Sequence, residues 1–408
     1  MKKNVILGWC FYDFANASYS AVISAVIFPV FFANRIVGNT NGLGDLWWGR
    51  AISVSMLIAA VTSPFAGGIA DRAGRKKSFL LFYTLACIIF VAMFSLLKPG
   101  YVLEGFLLIV AANTAREGGL VFYNAYLPDI APWQYWGRVS GLGFALGYTG
   151  AICALFVALP MLKAGNFPNI WLSVSAFFLV FSFPAFFLLP RDVPGKGGVL
   201  EYALEGSKKA LATLKGLWIS NPGSRSFLLS YLLYQDGVNT VIVFSSIFAS
   251  VSLGFSPKEL VFLYMAVQIT AFIGSVASAW PIDSWGPKKV IVLTLFLWIM
   301  VTTAACFIRQ KNEFWAVAVF AGLGLGSIQA ASRALFSRYV PRGREAEYFG
   351  VYSMIGKTSA IAGPFIFGLV SSATGSQRPA IAAVGLFFIL GLAIIRPFRE
   401  PGPRDSFL

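Results

Sequence analysis

The chain contains no histidine. That excludes histidine metal sites, Ser-His-Asp triads and histidine proton relays, so any proton chemistry must run through carboxylates. Charge is scarce too. Asp, Glu, Lys and Arg supply 12% of the residues and hydrophobic residues 57%, against about 25% charged in an ordinary soluble domain. Cysteine is sparse and unpatterned: Cys10, Cys87, Cys153 and Cys306 stand singly in apolar stretches without CxxC spacing, and read as buried thiols. The GxxxxGK[ST] phosphate loop is missing. No nucleophile–base pair or metal-ligand cluster can be assembled, so the chain reads as a non-enzyme with no cofactor and no metal.

What is present is length of apolar helix. A membrane span needs about 20 mostly apolar residues. Twelve stretches qualify, at roughly 6–33, 47–69, 78–97, 103–127, 139–163, 169–189, 226–252, 258–281, 289–308, 314–336, 346–372 and 379–396. Little chain remains for a soluble domain. The Met-Lys-Lys start followed by an apolar run resembles a signal peptide, but the run is long and carries Asp13 and Asn16, so it reads as an uncleaved first span.

The net charge of +15 raises the question of nucleic acid. Its distribution answers against it. With both termini in the cytoplasm, 21 Lys/Arg fall in inner loops and tails and 8 in outer loops. Arg116, Arg333 and Lys357 remain inside spans. This is the positive-inside pattern, expected of a multi-pass inner (plasma) membrane protein whose basic loops touch anionic headgroups. A monomer without nucleic-acid partners is the expectation. Tryptophans near the boundaries, including Trp136, Trp171 and Trp285, read as belt anchors.

Two polar islands interrupt the apolar helices about half a chain apart. Asp13 and Asn16 lie three residues apart in the first span, and Asp236 and Asn239 likewise in the seventh. A charge at the bilayer centre costs about 2.5–3.5 kcal/mol on insertion scales. Such residues should face a cavity or a partner. The halves match elsewhere. GGIADRAGRKK from Gly67 to Lys77 and AWPIDSWGPKK from Ala279 to Lys289 place Asp71, Gly74, Lys76 and Lys77 on Asp283, Gly286, Lys288 and Lys289 at one constant offset. Tyr126-Leu127-Pro128 likewise matches Tyr339-Val340-Pro341. The expected organisation is a six-helix bundle over 1–190, a linker over 191–225 and a second bundle over 226–408, with a polar site between the halves. In the linker, Leu200, Leu204, Leu211, Leu214 and Leu217 against Lys208, Lys209 and Lys215 predict an amphipathic helix after a glycine-rich turn at Gly195 to Gly198.

GGIADRAGRKK is similar to the signature loop of the major facilitator superfamily. YDFANASY at 12–19, FYNAYLP at 122–128 and GKTSAIAGP at 356–364 resemble the branch that includes the autophagy-linked vacuolar amino-acid effluxer of fungi and many bacterial relatives. The resemblance covers essentially the full chain. It implies an all-α fold of two pseudo-symmetric six-helix bundles, a cavity lined by helices one, four and seven, and export of amino acids or related zwitterions. The loops are shorter and the ends more compact than in the fungal members, which favours a bacterial inner membrane over a vacuole.

The candidate substrate or coupling residues are Asp13, Asn16, Asn113, Arg116, Glu117, Asp236, Asn239, Gln329, Lys357 and Tyr148. Asn113 is three and four residues before Arg116 and Glu117, so the three share a broad face of span four. Adjacent residues point about 100° apart, so Arg116 and Glu117 are not expected to pair with each other. Arg116 would hold an anionic group and Glu117 a cation or proton, while Lys357 would neutralise Asp236 or Glu117 in one conformation. The candidate gate comprises Gly67, Asp71, Arg72, Gly74, Arg75, Asp283, Gly286 and Arg333. Asp71 would accept from the N-terminus of a facing helix, and Arg333 would make a salt bridge near the inner end of span ten. Gly141, Gly143, Gly147 and Gly150 form a small-residue face on span five.

The reading is a secondary transporter working by alternating access, driven by a gradient because no ATP-binding loop is present, with H⁺ as the coupling ion. Asp and Arg also occur in sites for drugs, sugars and organic anions, so a different solute stays open. So does a receptor or assembly factor on the same scaffold.

Overall fold

A computed structural model describes residues 2–38, 42–195, 199–220, 222–360, 362–397 and 400. Among them there are helices and no strands. Eleven helices are long and apolar enough to span a membrane: Leu43–Ala73, Lys76–Leu96, Val102–Ile130, Trp133–Lys163, Phe167–Leu188, Pro222–Ser250, Lys258–Ser284, Pro287–Phe307, Lys311–Ser337, Glu345–Thr374 and Gln377–Ile395. They are spans two to twelve. Span one is the pair Lys3–Val26 and Phe28–Val37, bent by 43°.

The bend has a local cause. Pro29 brings no N–H to the helix ladder, and the preceding turn widens to π geometry over Tyr19–Val26, with the Ile27 amide on the Val22 carbonyl at 3.1 Å.

Contacts repeat between the halves. Span one packs on six, three on four, two on four, and three on six; seven packs on twelve, nine on ten, eight on ten, and nine on twelve. Small residues make the tightest of these crossings. A Cβ on Gly274 would strike the Leu323 backbone, and one on Gly326 the Ala271 backbone, so spans eight and ten touch along their main chains.

The chain forms two compact units. One comprises 1–130, 146–211 and 342–354; the other comprises 131–145, 212–341 and 355–408. Each therefore includes the opening turns of one span from the opposite half of the sequence, taken from span eleven and span five respectively.

Two turn glycines end the equivalent helices. Gly74 closes span two at φ +62°, where its amide and that of Arg75 satisfy the Asp71 and Ala70 carbonyls. Gly286 follows span eight at φ +96°. Both sit in left-handed backbone that other residues rarely adopt.

Two expectations change. Trp171 is fully buried, packed against Phe28 and Phe31, and the buried Trp136 donates its indole N–H to the Ala131 carbonyl. Ring packing buries Trp171 and a local hydrogen bond holds the buried Trp136, so neither faces outward as an anchor would; Trp285 is exposed. The linker helix Val199–Lys215 forms, but Gly206 and Ala210, not Leu204 and Leu211, meet span two; those two leucines are exposed, and Leu217 just beyond the helix is buried. The docking surface is a close approach of Gly206 to the Gly68 and Ile69 backbone, which admits no large side chain. Lys196, Gly197 and Gly198 of the glycine-rich turn lie outside the described residues.

Candidate functional site

Three groups of polar side chains account for most of the candidate residues.

The first lies within the first unit, on spans one, two and four. Arg116 forms an ion pair with Glu117. Its Nη2 donates to Ser20 Oγ at 2.8 Å and its Nε to Asn16 Oδ1 at 3.3 Å, and the guanidinium lies 5.7 Å from the Tyr19 ring centre. Asn113 donates to Ser55 Oγ at 2.7 Å. The expectation that Arg116 and Glu117 do not pair is corrected. The Cβ directions diverge as a helix requires, but the long arginine stem folds its planar fork back onto the neighbouring carboxylate. Asn16 and Asp13 serve different neighbours: the Asp13 carboxyl is buried beside Gly147 of span five, while Asn16 meets Arg116. A Cβ on Gly150 would collide with the Phe14 backbone, so spans one and five touch directly there.

Aromatic rings wall this cluster. Trp9 stacks on Tyr123 at 4.5 Å and Tyr12 on Tyr123 at 5.1 Å. The Trp9 indole donates to the Tyr123 carbonyl at 2.8 Å, and the Tyr12 hydroxyl shares a hydrogen bond with Thr84 at 2.9 Å. YDFANASY and FYNAYLP are thus two sides of one packed wall. Tyr148 lies half-buried on span five.

The second group belongs to the second unit. Span eleven, Glu345–Thr374, is built of two helical segments. Its first part ends at Thr358, and a new helix starts at Ala362. Asp236 of span seven accepts the Gly363 amide at 2.8 Å, and Asn239 donates to Ser359 at 3.4 Å. Gln235 donates to Asn239 at 3.3 Å. The island of span seven therefore holds the break in span eleven: its carboxylate caps the positive end of the second half-helix. Gly363 is required there, because a Cβ would meet both Thr240 and the Asp236 carboxylate. The expected span over 346–372 is present as Glu345–Thr374, with this interruption inside it. Ile361 lies outside the described residues. Lys357 is buried one residue before the break. Asp236→Ala is expected to lower stability by about 1–2 kcal/mol, the usual loss for an N-cap. Asp236→Asn, which keeps an acceptor, should lose less. Thermal unfolding of the purified variants measures both.

The third group is the proposed gate, and it occurs twice. In the first unit, Asp71 accepts the Ala346 and Glu347 amides at 3.2 and 2.8 Å, at the N-terminus of span eleven. A Cβ on Gly67 would strike the Ala346 carbonyl, and one on Gly350 the Ser63 carbonyl. Lys76 bridges Asp129 at 2.7 Å and Glu345 at 3.2 Å. In the second unit, Asp283 accepts the Gly137 and Arg138 amides at 2.6 and 3.1 Å, at the start of span five. The Arg138 side chain adds an ion pair at 3.4 Å. Gly137 and Gly141 lie on Ile282 and Ala279. One device, an aspartate on a helix N-terminus with glycines beneath it, is built at both repeats.

The remaining gate candidates are placed apart from these caps. Arg72 pairs with Glu205 of the linker helix at 2.6 Å. Arg75 is exposed at the start of span three. Arg333 is buried; it donates to Ser140 Oγ at 2.9 Å and the Ser140 carbonyl at 2.7 Å, with Phe144 4.0 Å beneath its guanidinium. Ser140 and Phe144 are partners that the sequence did not point to. A serine hydroxyl, a carbonyl and a ring face each suit part of a buried guanidinium. Gln329 lies half-buried one turn earlier.

Sequence reasoning missed Glu345, Glu347 and Asp192. Glu345 and Glu347 occupy the first turn of span eleven, and Asp192 takes the Lys77 and Ser78 amides at 2.7 and 2.9 Å at the start of span three. For Glu345 and Glu347, acidic residues in a first helical turn were the available signal; Asp192 caps a helix more than a hundred residues away and left none. Arg344, just outside the span, donates to Glu347 at 2.7 and 3.2 Å, and that bonding holds its guanidinium above its ordinary pKa.

The comparisons with known proteins agree with one another. A family model described as "Vacuole effluxer Atg22 like" matches residues 50–136 and 129–399. The MFS-type transporter YxiO of Bacillus subtilis is 28% identical over 409 residues, spanning 97% of this chain and 95% of that one. Autophagy-related protein 22 of Kluyveromyces lactis is 25% identical over 473 residues, spanning 99% and 95%. Among solved structures, the human organic anion transporter MFSD10 aligns with a TM-score of 0.76 at 15% identity, covering 96% of this chain and 98% of that one. The major facilitator transporter FucP aligns at 0.73 and 16% identity, covering 98% and 99%. At these identities the two structures speak for the fold.

Proposed function

Because the chain belongs to the vacuole effluxer Atg22-like family, a branch of the major facilitator superfamily, we propose that it exports amino acids or related small zwitterions by alternating access coupled to protons. It is a multi-pass membrane transporter of that superfamily; the solute, the direction and the coupling ion are the proposal. We place it in a bacterial-type inner membrane with both termini cytoplasmic, following the positive-inside distribution.

The observation that carries the reading is the Arg116 cluster. A guanidinium and a carboxylate, with Asn16 and Ser20 within hydrogen-bond reach, are held in spans one and four of the first unit. A zwitterion offers a carboxylate to Arg116 and an ammonium to Glu117, so it can replace the internal ion pair charge for charge. No bare charge is left in low dielectric at either stage. A proton on Glu117 would release Arg116 in the same way, which is how coupling would enter.

The test is a metabolite panel on purified protein. An amino acid at about 100 times its dissociation constant should stabilise the fold by about 2.7 kcal/mol. Sugars and monocarboxylates without an amine should not. Stabilisation by those alone would transfer the site to a different solute. In proteoliposomes, Asp13→Asn or Glu117→Gln should abolish pH-driven accumulation while the protein stays folded; if both accumulate like the parent, coupling does not run through them.

A further inference from the structure

The linker helix has two opposite faces. One is made of Gly206, Ala210 and Thr213 and is buried. The other carries Leu204, Lys208, Leu211 and Lys215 at helical spacing, and Ile219 continues the stripe. Leu204 and Leu211 are each 56% exposed and Ile219 65%. Three large apolar side chains alternating with two lysines are left facing away from the protein.

The position of the helix says what meets that face. Gly206 rests on Gly68, about one and a half turns before span two ends at Ala73. Arg72 in the last turn of that span pairs with Glu205. Arg72 and Arg75, both exposed at this end of span two, are the side chains that the positive-inside pattern assigns to the headgroup level. On that assignment the helix lies at the boundary between acyl chains and headgroups. Its charge is complementary to one surface. Lys208, Lys209 and Lys215 are exposed against one exposed acid, Glu201 in the first turn, while Glu205 is engaged by Arg72.

We propose that the Leu204–Lys208–Leu211–Lys215 stripe is a docking surface for an anionic lipid leaflet, with the leucines in the acyl boundary and the lysines at lipid phosphates. This inference stands apart from the solute and from proton coupling. It makes the linker a membrane-seated strap whose inner face holds span two beside the Asp71 cap.

The experiment uses the full chain with Leu211→Cys carrying an environment-sensitive NBD label. Cys10 and Cys87 are buried and Cys153 and Cys306 partly so, so the parent protein sets the labelling background. The protein is reconstituted in phosphatidylcholine vesicles with or without phosphatidylglycerol, and a headgroup-level nitroxide lipid serves as quencher. Quenching should be about twofold or more stronger with phosphatidylglycerol, and should fall in high salt. It should also fall in Lys208→Gln with Lys215→Gln, two exposed changes that leave the glycine dock intact. Equal quenching with and without phosphatidylglycerol overturns the proposal. So does a label open to aqueous iodide in both vesicles. A label shielded from iodide but untouched by the nitroxide lipid places the stripe against protein, and overturns it as well.

Discussion

Arg116→Ala is expected to lose solute accumulation in proteoliposomes and to lower stability by about 3–5 kcal/mol, the cost of leaving one member of a buried ion pair alone. Glu117 is 7% exposed, so water cannot replace the missing guanidinium. The stability loss and the transport loss should then separate. Arg116→Leu combined with Glu117→Gln removes both charges and should recover most of the stability, because no bare carboxylate remains. Transport should stay absent. Arg116→Lys tests geometry: it keeps the charge but cannot reach Asn16, Ser20 and Glu117 together, since an ammonium lacks the planar fork. Its stability should fall between parent and alanine variant. Thermal unfolding and uptake on the same preparations give both readouts. An Arg116→Ala protein that melts with the parent would show that the pair contributes nothing to the fold.

Gly67→Ala is the second large effect, from the addition of one methyl group. The new Cβ would overlap the Ala346 carbonyl, which is backbone and cannot rotate away. Spans two and eleven must separate, and the Asp71 bonds to Ala346 and Glu347 lengthen with them. Overpacking at about 1–3 kcal/mol together with a weakened cap at about 0.5–2 kcal/mol gives a loss of about 3 kcal/mol. Gly49→Ala is the control: its added Cβ would meet nothing within 4 Å. In an exposed helix interior alanine is the better former, so the control should match or exceed the parent. A Gly67→Ala melting curve that overlays the parent would remove the close approach from the account of this gate.

The two variants mark different depths of legibility. Arg116 was visible in the sequence as an ionisable residue inside an apolar span, and its immediate neighbour in the chain was visible as well. The geometry of their pairing was not. A helical wheel describes Cβ directions and says little about where a flexible arginine tip comes to rest. Gly67 was visible as part of a signature loop, but its obstacle, the Ala346 carbonyl, lies far along the chain. Asp236 shows the same limit. Its depth in an apolar helix made it a candidate site, while its partner is a helix end created by a break that hydropathy does not register. The linker helix was legible from its period, and which face docks was not, because a glycine–glycine crossing reversed the apolar preference.

The amino-acid order alone determined the twelve spans, the internal repeat, the orientation expected from its basic loops and the family. The spans and the expected orientation are responses of local composition to a bilayer, which acts on about 20 residues at a time, while the repeat and the family are carried by short motifs. Tertiary structure decided the partners: Arg116 with Glu117 and Asn16, Asp236 with Gly363, and Asp71 and Asp283 with helix ends from the other half of the chain. Apart from the Arg116–Glu117 neighbours, these contacts join residues a hundred or more positions apart. They depend on which backbones can approach closely, a property of packed helices rather than of any single segment.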